Sequence, residues 1–135
     1  MGIVLRAAVE GEHAMELMTK AAWGLLVLIH STPAAVVFSP GLTAKLYGID
    51  AASDVGVLLV HRGALFLAIV AAGLFALFDP DVRRTCSVIL AISMVGYLVV
   101  YVQAGFPTGP LRQIALVDLA GLIPLAFAAF MAWVR

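Results

Sequence analysis

Two ionisable residues, His61 and Arg62, stand side by side inside an apolar stretch at 55–78, VGVLLVHRGALFLAIVAAGLFALF. Three other apolar stretches carry polar residues of the same kind. His30 lies in the first, the hydroxyl series Ser93, Tyr97 and Tyr101 in the third, and Asp118 in the fourth. A guanidinium and a carboxylate can form a charge-assisted, bidentate pair, with phenols as further donors. Arg62 and Asp118 are therefore expected to pair directly, with Tyr97 or Tyr101 donating to the carboxylate. Such a pair can clamp one helix to another, or hold a polar or anionic ligand on Arg62 with Asp118 orienting it. Two histidines on neighbouring helices could also ligate a haem iron axially, which makes His30 and His61 the haem candidates. The alternative for both is hydrogen bonding to backbone carbonyls or to the tyrosines. As a catalytic set, His61 would move a proton, Asp118 would fix its tautomer, and Arg62 or Tyr97 would stabilise an oxyanion. The candidate ligand-binding residues are thus His30, His61, Arg62, Tyr97, Tyr101 and Asp118.

These residues need elements to carry them, and composition says which. Of 135 residues, 64% are hydrophobic and 12% are charged, with a mean hydropathy of +1.11. Soluble domains carry about 25% charged residues, so the chain reads as a membrane protein. Net charge is zero and no basic cluster suggests nucleic acid. The lone Cys86 excludes an intrachain disulfide and reads as a small packing residue.

A bilayer is crossed by about 20 apolar residues in a helix. Four such spans are expected, at about 21–38, 55–78, 85–104 and 111–134. The fold class is an all-α, up-down-up-down transmembrane four-helix bundle, in two parts. Residues 1–20 form an interfacial or disordered segment, and 21–135 form the bundle. In the first segment Ile3, Leu5, Val9, Met15 and Met18 could dip into the interface while Arg6, Glu10, Glu12 and His13 face water. No cleavable signal peptide is expected, since Arg6 interrupts the first apolar run.

The connections are equally legible. LTAKLYG in the first loop reads as a short interfacial helix stopped by Gly48, with Asp50, Ser53 and Asp54 as caps for the next helix. DPDVRR makes a tight charged turn, and GFPTGP a loop of helix breakers. Ala64, Ala68, Ala72 and Ala76 recur every four residues, a spacing that permits close helix approach or an oligomer interface. Basic residues divide five to two. Arg6, Lys20, Arg83, Arg84 and Arg135 lie on one side, against Lys45 and Arg112 on the other, which puts both termini in the cytoplasm.

Counting along the four spans puts His30, His61, Arg62, Tyr97 and Asp118 roughly 10 Å below the same outer surface, at 1.5 Å per residue. One polar site near that surface is the expectation. It could hold an apolar ligand with a polar head, such as a quinone or a lipid. The chain could also serve as a subunit of a larger membrane complex or a homo-oligomer. The other class is a membrane-embedded enzyme, an isomerase, a lipid-modifying enzyme or a haem-dependent redox protein, built on His61, Arg62, Asp118 and Tyr97.

The stretches FSPGLTAKLYGID, HRGALFLAIVAAG, DPDVRR and LVDLAGL together resemble the small bacterial four-helix DoxX-like membrane proteins. Such families place an arginine early in the second helix and an acid in the fourth, here Arg62 and Asp118. The resemblance implies a four-helix fold in the bacterial inner membrane and, for some members, a link to quinone-coupled redox complexes.

Overall fold

A computed structural model of the chain describes residues 1–134. The basic Arg135 used in the topology count lies outside the described residues, as does the side chain of Ile3. Five α-helices follow one another: α1 (Gly2–Ala34), α2 (Leu42–Tyr47), α3 (Asp54–Phe78), α4 (Arg83–Gln103) and α5 (Pro110–Val134). Short 3₁₀ turns follow α1 and precede α4. Four of the helices, α1, α3, α4 and α5, are long and apolar enough to cross a membrane, and α2 is the short helix between the first two. The expected four-helix architecture with a short helix in the first loop is therefore the fold.

The helix ends follow from local chemistry. Gly48 closes α2 at φ +70°, a conformation that costs glycine little and other residues more. Ser53 caps α3, its hydroxyl accepting from the Gly56 backbone N–H at 3.0 Å. At the other end of α3, Asp79 accepts from the Asp81 N–H at 2.9 Å and Pro80 starts the turn into α4.

The first helix differs from the expectation. It runs unbroken for 33 residues, from Gly2 through Ala34, with no boundary near Lys20. Its length is about 50 Å against roughly 30 Å of hydrocarbon, so it projects well beyond the span. Residues 4–14 are exposed all round. The segment is rich in Ala, Met, Leu and Glu and lacks proline, so nothing in it stops a helix that the span has already nucleated.

In cross-section, α1 packs against α3 and α5, and α4 against α5 and, more sparsely, α3. Trp23, Leu26, Leu90, Met94, Leu125 and Ala128 fill the centre. Leu58, Leu65, Phe75, Ile92, Val100, Leu119, Ile123 and Phe130 point outward, as lipid-facing residues do. The alanine series does not form one contact face. Ala64 and Ala68 are exposed, Ala72 is half-buried and only Ala76 is buried. Close approach of α1 and α3 uses glycines instead. A Cβ on Gly63 would lie 3.2 Å from the Pro33 carbonyl oxygen, and one on Gly73 would lie 2.8 Å from Val27 Cγ2. Glycine admits a backbone that alanine would hold off.

Candidate functional site

The up-down-up-down path brings the end of α1, the start of α3, the end of α4 and the start of α5 to one end of the bundle, beside α2. A cavity of about 240 Å³ opens there. Its wall includes His30 and Pro33 from α1, Tyr47 from α2, Arg62 and Phe66 from α3, and Gln113 and Asp118 from α5. A second concavity, about 680 Å³, lies along the sparse α3–α4 contact. Its lining is Leu65, Ile69, Ile89, Ile92, Val100 and their neighbours, with Tyr97 and Tyr101 at the polar end. Arg62 and Phe66 line both. The arginine thus stands where two largely apolar concavities meet, the smaller one also carrying His30, Tyr47, Gln113 and Asp118.

Arg62 is held by rings. Its guanidinium carbon lies 5.1 Å from the Phe66 ring centroid and 5.3 Å from that of Tyr97. Cation–π contacts of this kind contribute about 0.5–2 kcal/mol each. The expected direct pair with Asp118 does not form. Both side chains line the same cavity, yet no Arg62–Asp118 contact falls within 4.0 Å among the described residues. The two project from α3 and α5, which are not adjacent in the bundle. The phenols are occupied elsewhere as well. Tyr97 donates its hydroxyl to the Leu111 carbonyl at 2.9 Å, tying α4 to the start of α5. Tyr101 stacks on Tyr97 at 6.4 Å and meets Phe106 edge-on at 5.8 Å.

His30 is 2% exposed. Its Nδ1 donates to the Leu26 carbonyl at 2.8 Å, because a carbonyl can only accept. In the neutral ring this leaves Nε2 as a bare acceptor, and it has no partner. The ring packs on Phe66, with centroids 5.8 Å apart, and Phe66 also meets the Arg62 guanidinium. Tyr47, outside the spanning helices, has its phenol pushed up by burial, which exceeds the opposing pull of Arg62. It is a neutral hydroxyl at physiological pH.

His61 stands apart. It is exposed and lines neither concavity, while Arg62, one residue on, faces inward. One residue is 100° of helix rotation, enough to put neighbours on different faces. An axial haem pair needs both imidazoles to face one gap, and His30 and His61 do not, so these residues do not fit a bis-histidine haem. The same rotation separates His61 from Asp118 and Tyr97, so the expected catalytic set is not assembled. Among the described residues no group of three or more His, Cys, Asp or Glu side chains is placed to hold a metal ion.

At the opposite end lies a cluster that sequence reasoning missed. Arg83, its side chain 7% exposed, donates two hydrogen bonds to Glu16, at 2.7 and 3.0 Å, and a third from Nε to the Ala76 carbonyl at 2.9 Å. Arg84 donates to the Ala132 carbonyl at 2.8 Å and lies over the Trp133 ring. The signal was the RR dipeptide closing the α3–α4 turn. Its partner is 67 residues away, in the segment expected to be interfacial or disordered.

The chain matches no family model, no curated protein and no solved structure. What stands is a small all-α protein with four membrane-length helices. The DoxX-like likeness seen in the sequence has no family match behind it.

Proposed function

We propose that this protein binds an amphiphile in the membrane, its polar head in the small chamber and its chain along the α3–α4 groove. One observation carries the reading. Arg62 lies within a span, where an ionised side chain is costly, and it has no hydrogen bond or ion pair among the described residues. Elsewhere in the spans, several hydroxyls and Arg83 find hydrogen-bond partners, whereas Asp118 and the buried Nε2 of His30 and Nε1 of Trp23 have none among the described residues. Thr19, Ser31 and Ser87 donate to carbonyls of their own helices, and Arg83 makes three hydrogen bonds. A cation left open at the junction of a small cavity with a few polar side chains and an apolar groove matches a ligand with a head and a tail.

In this reading the site lies near the outer face of a bacterial inner membrane, with both termini cytoplasmic. Arg6, Lys20, Arg83 and Arg84 support that orientation against Lys45 and Arg112. The enzyme alternative has no observation in its favour, because His61, Asp118 and Tyr97 do not converge.

The test is mass spectrometry of small molecules retained by the protein purified in mild detergent, compared with Arg62→Leu. An amphiphile present on the unaltered protein and lost from a folded Arg62→Leu variant supports the proposal. Equal retention by both removes Arg62 from the site and ends it.

A further inference from the structure

We propose that the chamber selects a head of zero net charge that both donates and accepts hydrogen bonds, and that Arg62 and Asp118 set this preference by opposing each other. The inference rests on the amphiphile reading and specifies its ligand. A guanidinium only donates and an ionised carboxylate only accepts. The two line one cavity from α3 and α5, and neither is satisfied by the other. The occupant between them must present an acceptor to Arg62 and a donor to Asp118. A hydroxylated head does both, and so does a zwitterion.

Net charge narrows the choice further. The formal charges of Arg62 and Asp118 cancel. An anionic head answers Arg62 but meets Asp118, and a cationic head does the reverse. Either leaves one uncompensated charge in a poorly solvated place, which is strongly disfavoured. A net-neutral head leaves none. Gln113 and the neutral Tyr47 phenol add further donors and acceptors to a wall otherwise built mainly of apolar side chains such as Ile29, Leu46, Ile114 and Val117. The chamber volume, about 240 Å³, is below the roughly 300–1,000 Å³ of whole-ligand pockets, so it takes a head while the chain continues past Arg62.

The experiment is competition between four probes that share an oleyl or oleoyl chain, read as adducts on the detergent-solubilised full chain by native mass spectrometry. The probes are monoolein, oleoyl lysophosphatidylethanolamine, oleate and oleylamine. Monoolein or the lysophospholipid should be retained at least about tenfold over oleate and over oleylamine. Which of the two leads tells a hydroxylated amphiphile from a phospholipid head. Asp118→Asn should shift the preference towards oleate, and Arg62→Gln towards oleylamine. Retention of oleate or oleylamine on the unaltered protein as strong as that of the neutral probes overturns the inference, as does an unchanged order in both folded variants. If none of the four is retained, the amphiphile reading falls as well. The probe order on the unaltered protein decides even where a variant fails to fold.

Discussion

The two ends of the bundle treat an arginine within a span in opposite ways. At the turn end, Arg83 uses three of its donors on Glu16 and the Ala76 carbonyl, and so joins α1, α3 and α4. At the other end, Arg62 rests against two aromatic faces and bonds to no oxygen among the described residues. Each arginine carries a desolvation cost. Where the cost is met by protein groups, the residue holds the fold together. Where it is not, the residue is available to something that enters. Residue type does not separate these roles, whereas the inventory of hydrogen-bond partners does.

The strongest way to break the contrast is to remove Glu16. Glu16→Ala leaves the Arg83 cation without its carboxylate and should cost about 3 kcal/mol. That is the low end of the usual range of about 3–5 kcal/mol, because the Glu16 side chain keeps 33% of its surface exposed. Denaturant unfolding in detergent reads the loss. The double variant Glu16→Ala with Arg83→Met should regain most of it, since an apolar replacement of both partners removes the orphan charge. If Glu16→Ala is neutral, the turn end is not the clamp.

Next in size is Gly63→Ala. Its Cβ would meet Val37 Cγ2 at 3.1 Å and the Pro33 carbonyl oxygen at 3.2 Å, and the second of these is backbone. The helices α1 and α3 must part slightly beside the cavity, at about 1–2 kcal/mol. The same unfolding assay checks it, and the ligand-retention assay should show weakened binding because the chamber walls shift. Smaller still is Tyr97→Phe, which loses the bond to the Leu111 carbonyl at about 0.5–1 kcal/mol. The ring under Arg62 remains, so ligand retention should hold. A large loss of ligand would instead make the Tyr97 hydroxyl part of the site.

Much of this was legible before any coordinates. Four spans, the short α2 helix with its Gly48 stop, and the Ser53 cap follow from apolar length and local turn chemistry. The common depth of His30, Arg62 and Asp118 follows from counting at fixed rise. Rotation is harder than depth. An uncertainty of one residue in phase turns a side chain by 100°: helical counting puts His61 on the alanine face with Arg62 about 100° away towards its edge, whereas His61 is exposed and Arg62 lines both concavities. The Arg62–Asp118 distance depends on which helices are diagonal, and hydropathy does not encode that. The Glu16–Arg83 pair was hidden for another reason. Glu16 follows Glu10 and Glu12 in a polar run, and only the unbroken course of α1 carries it to the α3–α4 turn.

The smallest expected change in stability is the most discriminating. Arg62→Leu gives up two cation–π contacts and leaves Asp118 as the lone charge in the cavity, which destabilises. It also removes a cation whose presence in hydrocarbon costs about 2.5–3.5 kcal/mol on insertion scales, which stabilises. These effects oppose each other, so the net shift in unfolding free energy should lie within about 1 kcal/mol of zero. Double-mutant cycles state the contrast most sharply. Arg62→Leu with Asp118→Leu should show a coupling well below that of Glu16→Ala with Arg83→Met, which should exceed about 2 kcal/mol. Equal couplings would mean that Arg62 is a second clamp, and that its missing partner is a protein group reached by a modest side-chain movement rather than a ligand.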